Sequence, residues 1–91
     1  MQLEFNHNAL EGLGVAKRAA HQLMKDGFEV ISVDVFGTRT TIQVMSSEHT
    51  EKLIRERRAC YYKYQTNDGV PHRFGQFQHG GCRVIWVERV H

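Results

Sequence analysis

The amino-acid sequence has no long hydrophobic run. Even its longest apolar stretches have only four or five residues, as in Val84-Ile85-Trp86-Val87, whereas a membrane-spanning helix needs about 20 predominantly apolar residues. The first residues, Met-Gln-Leu-Glu-Phe, also lack the basic lead and the apolar stretch of a secretory signal peptide. We therefore expect no membrane partner, no signal peptide and a cytoplasmic location.

Cysteine is scarce too. The two cysteines, Cys60 and Cys82, are too few for a disulfide framework, and a cytoplasmic chain keeps its thiols reduced. We expect both to be buried structural thiols. Together with His72 and His79 they form the only plausible zinc set, but the spacing C-x11-H-x6-H-x2-C lacks the close cysteine pair of a zinc ribbon or finger. The sequence predicts neither a metal site nor a cofactor.

Recognisable catalytic motifs are also missing. His79 lies three residues from Cys82, but no sequence typical of a cysteine–histidine enzyme surrounds either thiol. The carboxylates Glu29 and Asp34 are spread along one predicted strand, and no glycine-rich loop leads from a strand into a helix to cradle a phosphate. We expect a protein that is not an enzyme and has no catalytic residues.

The charge balance is only mildly basic, with a formal net charge of +2. Dedicated nucleic-acid-binding domains usually carry more positive charge, so composition leaves nucleic acid open as a partner without favouring it. The sign of the charge excludes an acidic DNA mimic. Hydrophobic residues make up 41% of the chain, which is ordinary globular usage and predicts an ordered fold.

The hydrophobic pattern predicts a single α+β domain over residues 1–91, because so short a chain builds one core. Helical periodicity, strand alternation and turn residues predict one mostly antiparallel sheet of about five strands, with two helices on one face, in the order α-β-β-α-β-β-β. The predicted strands span residues 28–36, 39–45, 60–65, 70–78 and 82–90. The last has apolar residues on both faces, which is typical of a central strand.

The first helix has the clearer pattern of the two. Asn6 or Asn8 is its predicted N-cap, and Gly27 its end. Its predicted buried face consists of Leu10, Leu13, Ala16, Ala20, Leu23 and Met24. Gly12 and Gly14 either allow a strand to approach closely or are simply tolerated. Ser46 or Ser47 is predicted to cap the second helix.

Aromatic residues are concentrated near the C-terminus, where six of the nine lie: Tyr61, Tyr62, Tyr64, Phe74, Phe77 and Trp86. A small sheet covered on one face cannot bury them all. Rings left exposed beside basic residues have the composition of protein-binding hot spots. The predicted partner-binding residues are Arg55, Arg57, Arg58, Tyr61, Tyr62, Lys63, Tyr64, Arg73, Phe74 and Phe77.

The segment Phe28-Glu-Val-Ile-Ser-Val-Asp-Val35, the turn at Gly37 and the strand Gly81-Cys-Arg-Val-Ile-Trp86 carry a resemblance. The layout resembles small proteins encoded by temperate phages and prophages, which combine a capped helix, a Val/Ile hairpin and a turn-rich meander. The resemblance implies a phage context and, with it, the cytoplasm of a host cell. Small phage proteins often act by binding host machinery, including defence complexes.

These observations predict a non-catalytic protein that binds a protein partner and acts as an inhibitor of a host or defence system, in the manner of an anti-CRISPR protein. The alternative is a nucleic-acid-binding accessory or regulatory protein, in which basic side chains contact phosphates and tyrosines stack on unpaired bases. A homodimer through an open sheet edge is also expected, because an open sheet leaves unpaired strand edges to protect.

Overall fold

The structure is a computed structural model that describes residues 7–37 and 39–90, with side chains from residue 10 onward. Two helices and five strands follow in the predicted order α-β-β-α-β-β-β, which confirms the α+β fold class. The elements are α1 His7–Lys25, β1 Val30–Phe36, β2 Arg39–Val44, α2 Glu48–Arg55, β3 Cys60–Asn67, β4 Val70–His79 and β5 Cys82–Arg89.

All five strands form one open sheet in the order β1-β2-β5-β4-β3. The pairs β1–β2, β3–β4 and β4–β5 are antiparallel, which confirms the predicted hairpin and three-stranded meander. Strands β2 and β5 pair in parallel, a contact that the sequence analysis did not predict. This contact joins the hairpin to the meander and places β5 in the middle of the sheet, as its two apolar faces indicated.

The helix ends follow local sequence signals. Ser47 caps α2: its hydroxyl accepts a hydrogen bond from the His49 N–H at 3.2 Å, and its own N–H donates to the Thr50 hydroxyl at 2.9 Å. Asn8 lies inside α1 and is not its cap, whereas Asn6 lies outside the described residues. Gly27 follows the end of α1 with a φ of 98°, a conformation that glycine adopts without steric cost.

The core lies between α1 and the central strands. Each of its members is at most 8% exposed, namely Ala19, Ala20, Leu23, Ile42, Val44, Cys82, Val84 and Trp86. Ile54 of α2 packs against the same cluster, so both helices contribute to the same side of the sheet. We call this side the covered face, and the opposite side the open face.

The predicted buried face of α1 is only partly correct. Ala16, Ala20 and Leu23 are buried, but the other three members are 43–55% exposed: Leu10, Leu13 and Met24. A helix contacts a sheet along a limited stripe. Apolar residues at the side of that stripe therefore extend past the contact, and the prediction was wrong for these three.

The two glycines of α1 have different roles. A Cβ atom at Gly12 would lie 2.7 Å from the Gly37 carbonyl oxygen and 3.1 Å from Val35 Cγ1, so glycine allows the helix to approach the hairpin closely. A Cβ atom at Gly14 would find its nearest neighbour, an Arg18 guanidinium nitrogen, at an ordinary 3.6 Å. Gly14 is therefore only tolerated.

Gly75 provides space for the Trp86 indole. The two residues are opposite each other in the β4–β5 pair, and a Cβ atom at Gly75 would overlap the indole ring. We expect Gly75→Ala to lower the free energy of unfolding by roughly 1–3 kcal/mol, because the buried ring has to move. Gly14→Ala is the matched control and should raise it by up to about 1 kcal/mol through helix propensity. Urea denaturation of both variants measures the difference, and equal effects would contradict the close packing.

Candidate partner-binding surface

The ten predicted binding residues do not form one continuous surface. The structure divides them into three groups. Arg55, Arg57 and Arg58 lie at the end of α2. The side chains on the covered face are Tyr61, Tyr64, Arg73 and Phe77, and those on the open face are Tyr62, Lys63 and Phe74.

The arginine group is exposed. Arg55 occupies the last turn of α2, and Arg57 lies in the following loop with a φ of 58°. The Arg58 guanidinium is 3.5 Å from the Glu56 carboxylate, an exposed ion pair of the kind that contributes little to stability. Arg58 and Phe77 both line a groove of about 260 Å³ between α2 and β4. Arg57 and Arg58 line a second groove together with Phe77.

A β-bulge in β3 separates the tyrosines. Tyr61 pairs with Gly75 and Lys63 with Phe74, so Tyr62 is the extra residue between them. Successive strand residues normally point to opposite faces, but a bulge interrupts this alternation. Tyr62 and Lys63 consequently share the open face, while Tyr61 stays on the covered face.

The covered-face group is organised around the Glu88 carboxylate. Its Oε1 atom accepts hydrogen bonds from the Tyr61 hydroxyl and the Trp86 indole N–H, both at 2.9 Å. Its Oε2 atom accepts a hydrogen bond from the Arg73 guanidinium at 3.2 Å. The same guanidinium lies 4.2 Å from the centre of the Tyr61 ring. Tyr61 and Arg73 are therefore held mainly by internal contacts, and the Glu88 side chain is only 16% exposed.

Three pKa values reflect this cluster. Burial alone would raise the pKa of Glu88, but hydrogen bonds from Trp86, Tyr61 and Arg73 outweigh it, and the pKa lies below its ordinary value. The pKa of Tyr61 is raised by burial and by the adjacent Glu88 carboxylate. Burial would lower the pKa of Arg73, but Glu88 raises it overall. All three groups keep their ordinary charge at neutral pH.

Aromatic rings on the covered face form a continuous row from the core to solvent. Neighbouring ring centres are 5.7–6.4 Å apart along Phe28, Phe77, Trp86, Tyr61 and Tyr64. Trp86 is completely buried, whereas Tyr64 is 69% exposed. Only the last ring of this row offers a large area to another molecule.

Two aromatic rings on the open face lie under cations. The Arg83 guanidinium is 4.6 Å from the centre of the Tyr62 ring, and Lys63 Nζ is 5.0 Å from the centre of the Phe74 ring. The two rings are themselves 6.2 Å apart. We call Tyr62, Lys63, Phe74 and Arg83 the aromatic–cationic surface.

Positive charge predominates over the open face. The strand pairing places four cations and one carboxylate on it among the strand residues that the structure describes: Arg39, Lys63, Arg83, Arg89 and Asp34. The Arg83 Nε–H also donates a 2.7 Å hydrogen bond to Gln76 Oε1, which limits the motion of the guanidinium. The surface thus places positive charge beside the exposed Tyr62 ring and the half-buried Phe74 ring.

Sequence reasoning missed two residues of these clusters. Arg83 belongs to the aromatic–cationic surface, and Glu88 holds the covered-face cluster together. The sequence did contain a signal for Arg83: alternation in β5 places its side chain on the other face of the strand from the buried Val84 and Trp86. The contact between Arg83 and Tyr62 depends on β4 lying between their strands and on the bulge in β3. Neither could be read from spacing.

The cysteine and histidine candidates also divide between the faces. Cys82 pairs with His79 on the covered face, whereas Cys60 lies on the open face, where its sulfur is 4.0 Å from Gln76 Nε2. Burial raises the pKa of the Cys82 thiol, opposed by the Thr40 hydroxyl. Cys60 is exposed, so its predicted burial was wrong. No group of three or more potential metal ligands occurs within residues 7–37 and 39–90.

The fold and this surface define a two-layer α+β protein whose sheet has helices on one face and an aromatic–cationic surface on the other. The chain belongs to a protein family described as "Uncharacterised protein", whose family model matches residues 6–89. No curated protein and no solved structure matches the chain. Neither helix, over the part of the chain that the structure describes, is long and apolar enough to cross a membrane.

The Glu88 cluster generates a pH-dependent prediction. The folded-state pKa of Glu88 lies below its ordinary value of 4.5, so its carboxylate stabilises the fold above that pH and less as the pH falls below it. We expect Glu88→Gln to lower the free energy of unfolding at pH 7 by about 2 kcal/mol, because charge-assisted hydrogen bonds are lost. The gap to the wild type should narrow at acid pH.

Denaturation across a pH series measures this gap. Glu56→Gln is the control, since Glu56 makes only an exposed ion pair, and we expect a change within about 0.5 kcal/mol. A Glu88→Gln protein as stable as the wild type at pH 7 would contradict the role assigned to Glu88.

Proposed function

We propose that this protein is a non-catalytic binding protein, and that its aromatic–cationic surface occupies an acidic surface on a protein partner. The observation that carries the proposal is the pair of cation–ring contacts, Arg83 on Tyr62 and Lys63 on Phe74, on a sheet face without a helix over it in the described part of the chain. Aromatic and arginine side chains are the residues most enriched in protein-binding hot spots.

Rigidity supports this proposal. Tyr62 and Phe74 project from neighbouring strands, and the Trp86 indole fills the opposite side of the sheet against Gly75. Side chains that are already ordered lose less conformational entropy when a partner binds. Arg83, which is hydrogen-bonded to Gln76, is held in the same way.

Charge determines the kind of partner. The excess of cations on the open face favours carboxylates, since complementary charge increases both specificity and the rate of association. A nucleic acid would also supply negative charge, but its bases bind by stacking on free ring faces. In this surface each ring already has a cation over it. This arrangement favours an acidic protein over the nucleic-acid alternative.

The remaining functional predictions fit into the same proposal. Binding would inhibit the partner if this protein occupies a surface that the partner needs for its own activity. Inhibition of this kind is the role implied by the phage resemblance. A cytoplasmic location and an inhibitory role against a host defence system stay predictions. Arg55, Arg57, Arg58 and Tyr64 are exposed and remain predicted contacts outside the aromatic–cationic surface.

A titration followed by NMR tests the chemistry of the partner. We expect oligoglutamate to shift the amide signals of Tyr62, Lys63, Phe74 and Arg83, and to do so less as salt is added. Oligothymidine of equal charge should cause smaller shifts at these residues. Stronger and localised binding of oligothymidine would overturn the proposal in favour of nucleic acid, and no localised shift with either polymer would reject the surface.

Paired charge reversals test the site. Lys63→Glu with Arg83→Glu should abolish oligoglutamate binding, whereas Arg55→Glu with Arg58→Glu changes the net charge equally at the end of α2 and should weaken it only slightly. Captured cellular proteins should be lost from the first double variant and retained by the second. Equal losses from both would indicate binding by net charge alone and would contradict a defined surface.

A further inference from the structure

Exposed apolar side chains are concentrated at the β1 edge of the sheet, remote from the aromatic–cationic surface. Nine large hydrophobic side chains are exposed in the described part of the chain, and seven of them belong to α1, β1 or the residue after β2: Leu10, Leu13, Met24, Ile31, Val33, Phe36 and Met45. Met45 lies beside the start of β1, because its N–H donates to the Glu29 carbonyl at 2.9 Å. Soluble monomers seldom leave so many apolar side chains together in water.

The orientation of α1 places its exposed residues on the β1 side. Val15 and Ala19 face the Gly80–Gly81 turn between β4 and β5. At 100° per residue, Leu13 and Met24 lie on the opposite flank of the helix from Val15. That flank faces β1, the outermost strand on this side. Leu13 and Met24 therefore continue the apolar patch of β1 onto the helix layer.

Strand β1 itself is an unprotected edge. It lies at the end of the sheet order, so its outer N–H and C=O groups have no strand partner among the described residues. Natural edge strands are usually protected by lysine, proline or a covering element. The sequence Val-Ile-Ser-Val-Asp-Val-Phe of β1 contains a single charge, that of Asp34. A bulge between Val30 and Ser32 leaves regular pairing open from Ser32 onward.

We infer that β1 pairs with β1 of a second copy of this chain, antiparallel about a two-fold axis at Val33, to give a continuous ten-stranded sheet. In this register residues 32–34 of the two copies pair regularly, whereas Val35 and Phe36 meet the bulge around Ile31 of the second copy. Asp34 lies opposite Ser32 of the second copy, so that a hydroxyl faces each carboxylate. Centring the axis on Asp34 would bring two carboxylates together, which is unfavourable. An axis on Val33 also brings the Leu10–Leu13 end of one α1 towards Met24 of the other.

A second copy would cover both features of this edge, namely its unpaired backbone groups and its exposed apolar side chains. It supplies a strand with matching hydrogen-bonding groups and an apolar patch of the same composition, as a two-fold interface requires. Stable interfaces bury about 800 Å² on each partner. The exposed apolar side chains flank this edge on both faces of the sheet, with Val33 on the covered face and Phe36 on the open face, so a second strand can contact both groups. Lys17 lies on the same flank of α1 as Leu13 and Met24. Its aliphatic chain can pack on the apolar side chains while its ammonium group stays in water.

The mass in solution tests the dimer. We expect light scattering at micromolar concentration to give twice the monomer mass of 10.6 kDa. Val33→Lys should give a folded monomer, with circular dichroism as the check on folding. Thr66→Lys places the same charge on the other edge strand, β3, and should leave the dimer intact. A monomeric wild type, or a Val33→Lys protein that remains dimeric, would overturn the inference.

Cross-linking tests the register without relying on a disruptive variant. In a Cys60→Ser background, Val33→Cys should form an intermolecular disulfide several-fold faster than Thr66→Cys, because the two-fold axis brings the two introduced thiols together. Equal rates would reject the Val33-centred register. The inference goes beyond the proposed function: Lys63→Glu with Arg83→Glu should leave the dimer intact, so loss of partner binding and loss of dimerisation are separate results.

Discussion

The packing of the Trp86 indole against Gly75 is the contact on which both faces of this sheet depend. The indole is completely buried, fills the space that a side chain at position 75 would take, and donates its N–H to Glu88 at 2.9 Å. Through Glu88 it is linked to Tyr61 of β3 and Arg73 of β4. Three strands are thereby held together on the covered face at the end of the sheet farthest from β1, where α1 makes few contacts.

With this anchoring on the covered face, the proposed binding surface lies on the open face. Because Tyr61 and Trp86 pack in the interior of the covered face, the proposed binding rings are Tyr62, which the β3 bulge turns to the open face, and its neighbour Phe74. Their cations come from β3 and β5. The surface is therefore assembled across three strands. The β1 edge, at the far end of the sheet, has the opposite character, with apolar side chains and unpaired backbone groups. One sheet thus has two chemically different regions, to which the two proposals assign two kinds of contact.

Local signals were enough to predict most of the fold. Ser47 before two glutamates, the Asp68-Gly69 turn and the alternation in β5 each specify a local structure in their own few residues, so element order and the central place of β5 were predicted correctly. The parallel β2–β5 pair was not predicted, because it joins segments that are distant in the chain. The candidate site was predicted only as a composition. Ten residues close in sequence were taken as one surface, although strand alternation and one bulge send Tyr61 and Tyr62 to opposite faces.

The sequence by itself determined the elements, their order and the absence of any long apolar run, since each depends on neighbouring residues or on periodicity. Tertiary structure alone decided which rings reach solvent. It buried Trp86 and left Tyr64 exposed, although both are aromatic residues of the three-stranded meander. It also brought Arg83 over Tyr62 and exposed Leu13 and Met24 beside β1. The physical reason is that burial and ring–cation contact are properties of pairs of elements, and a helix or strand has no buried side until another element packs against it.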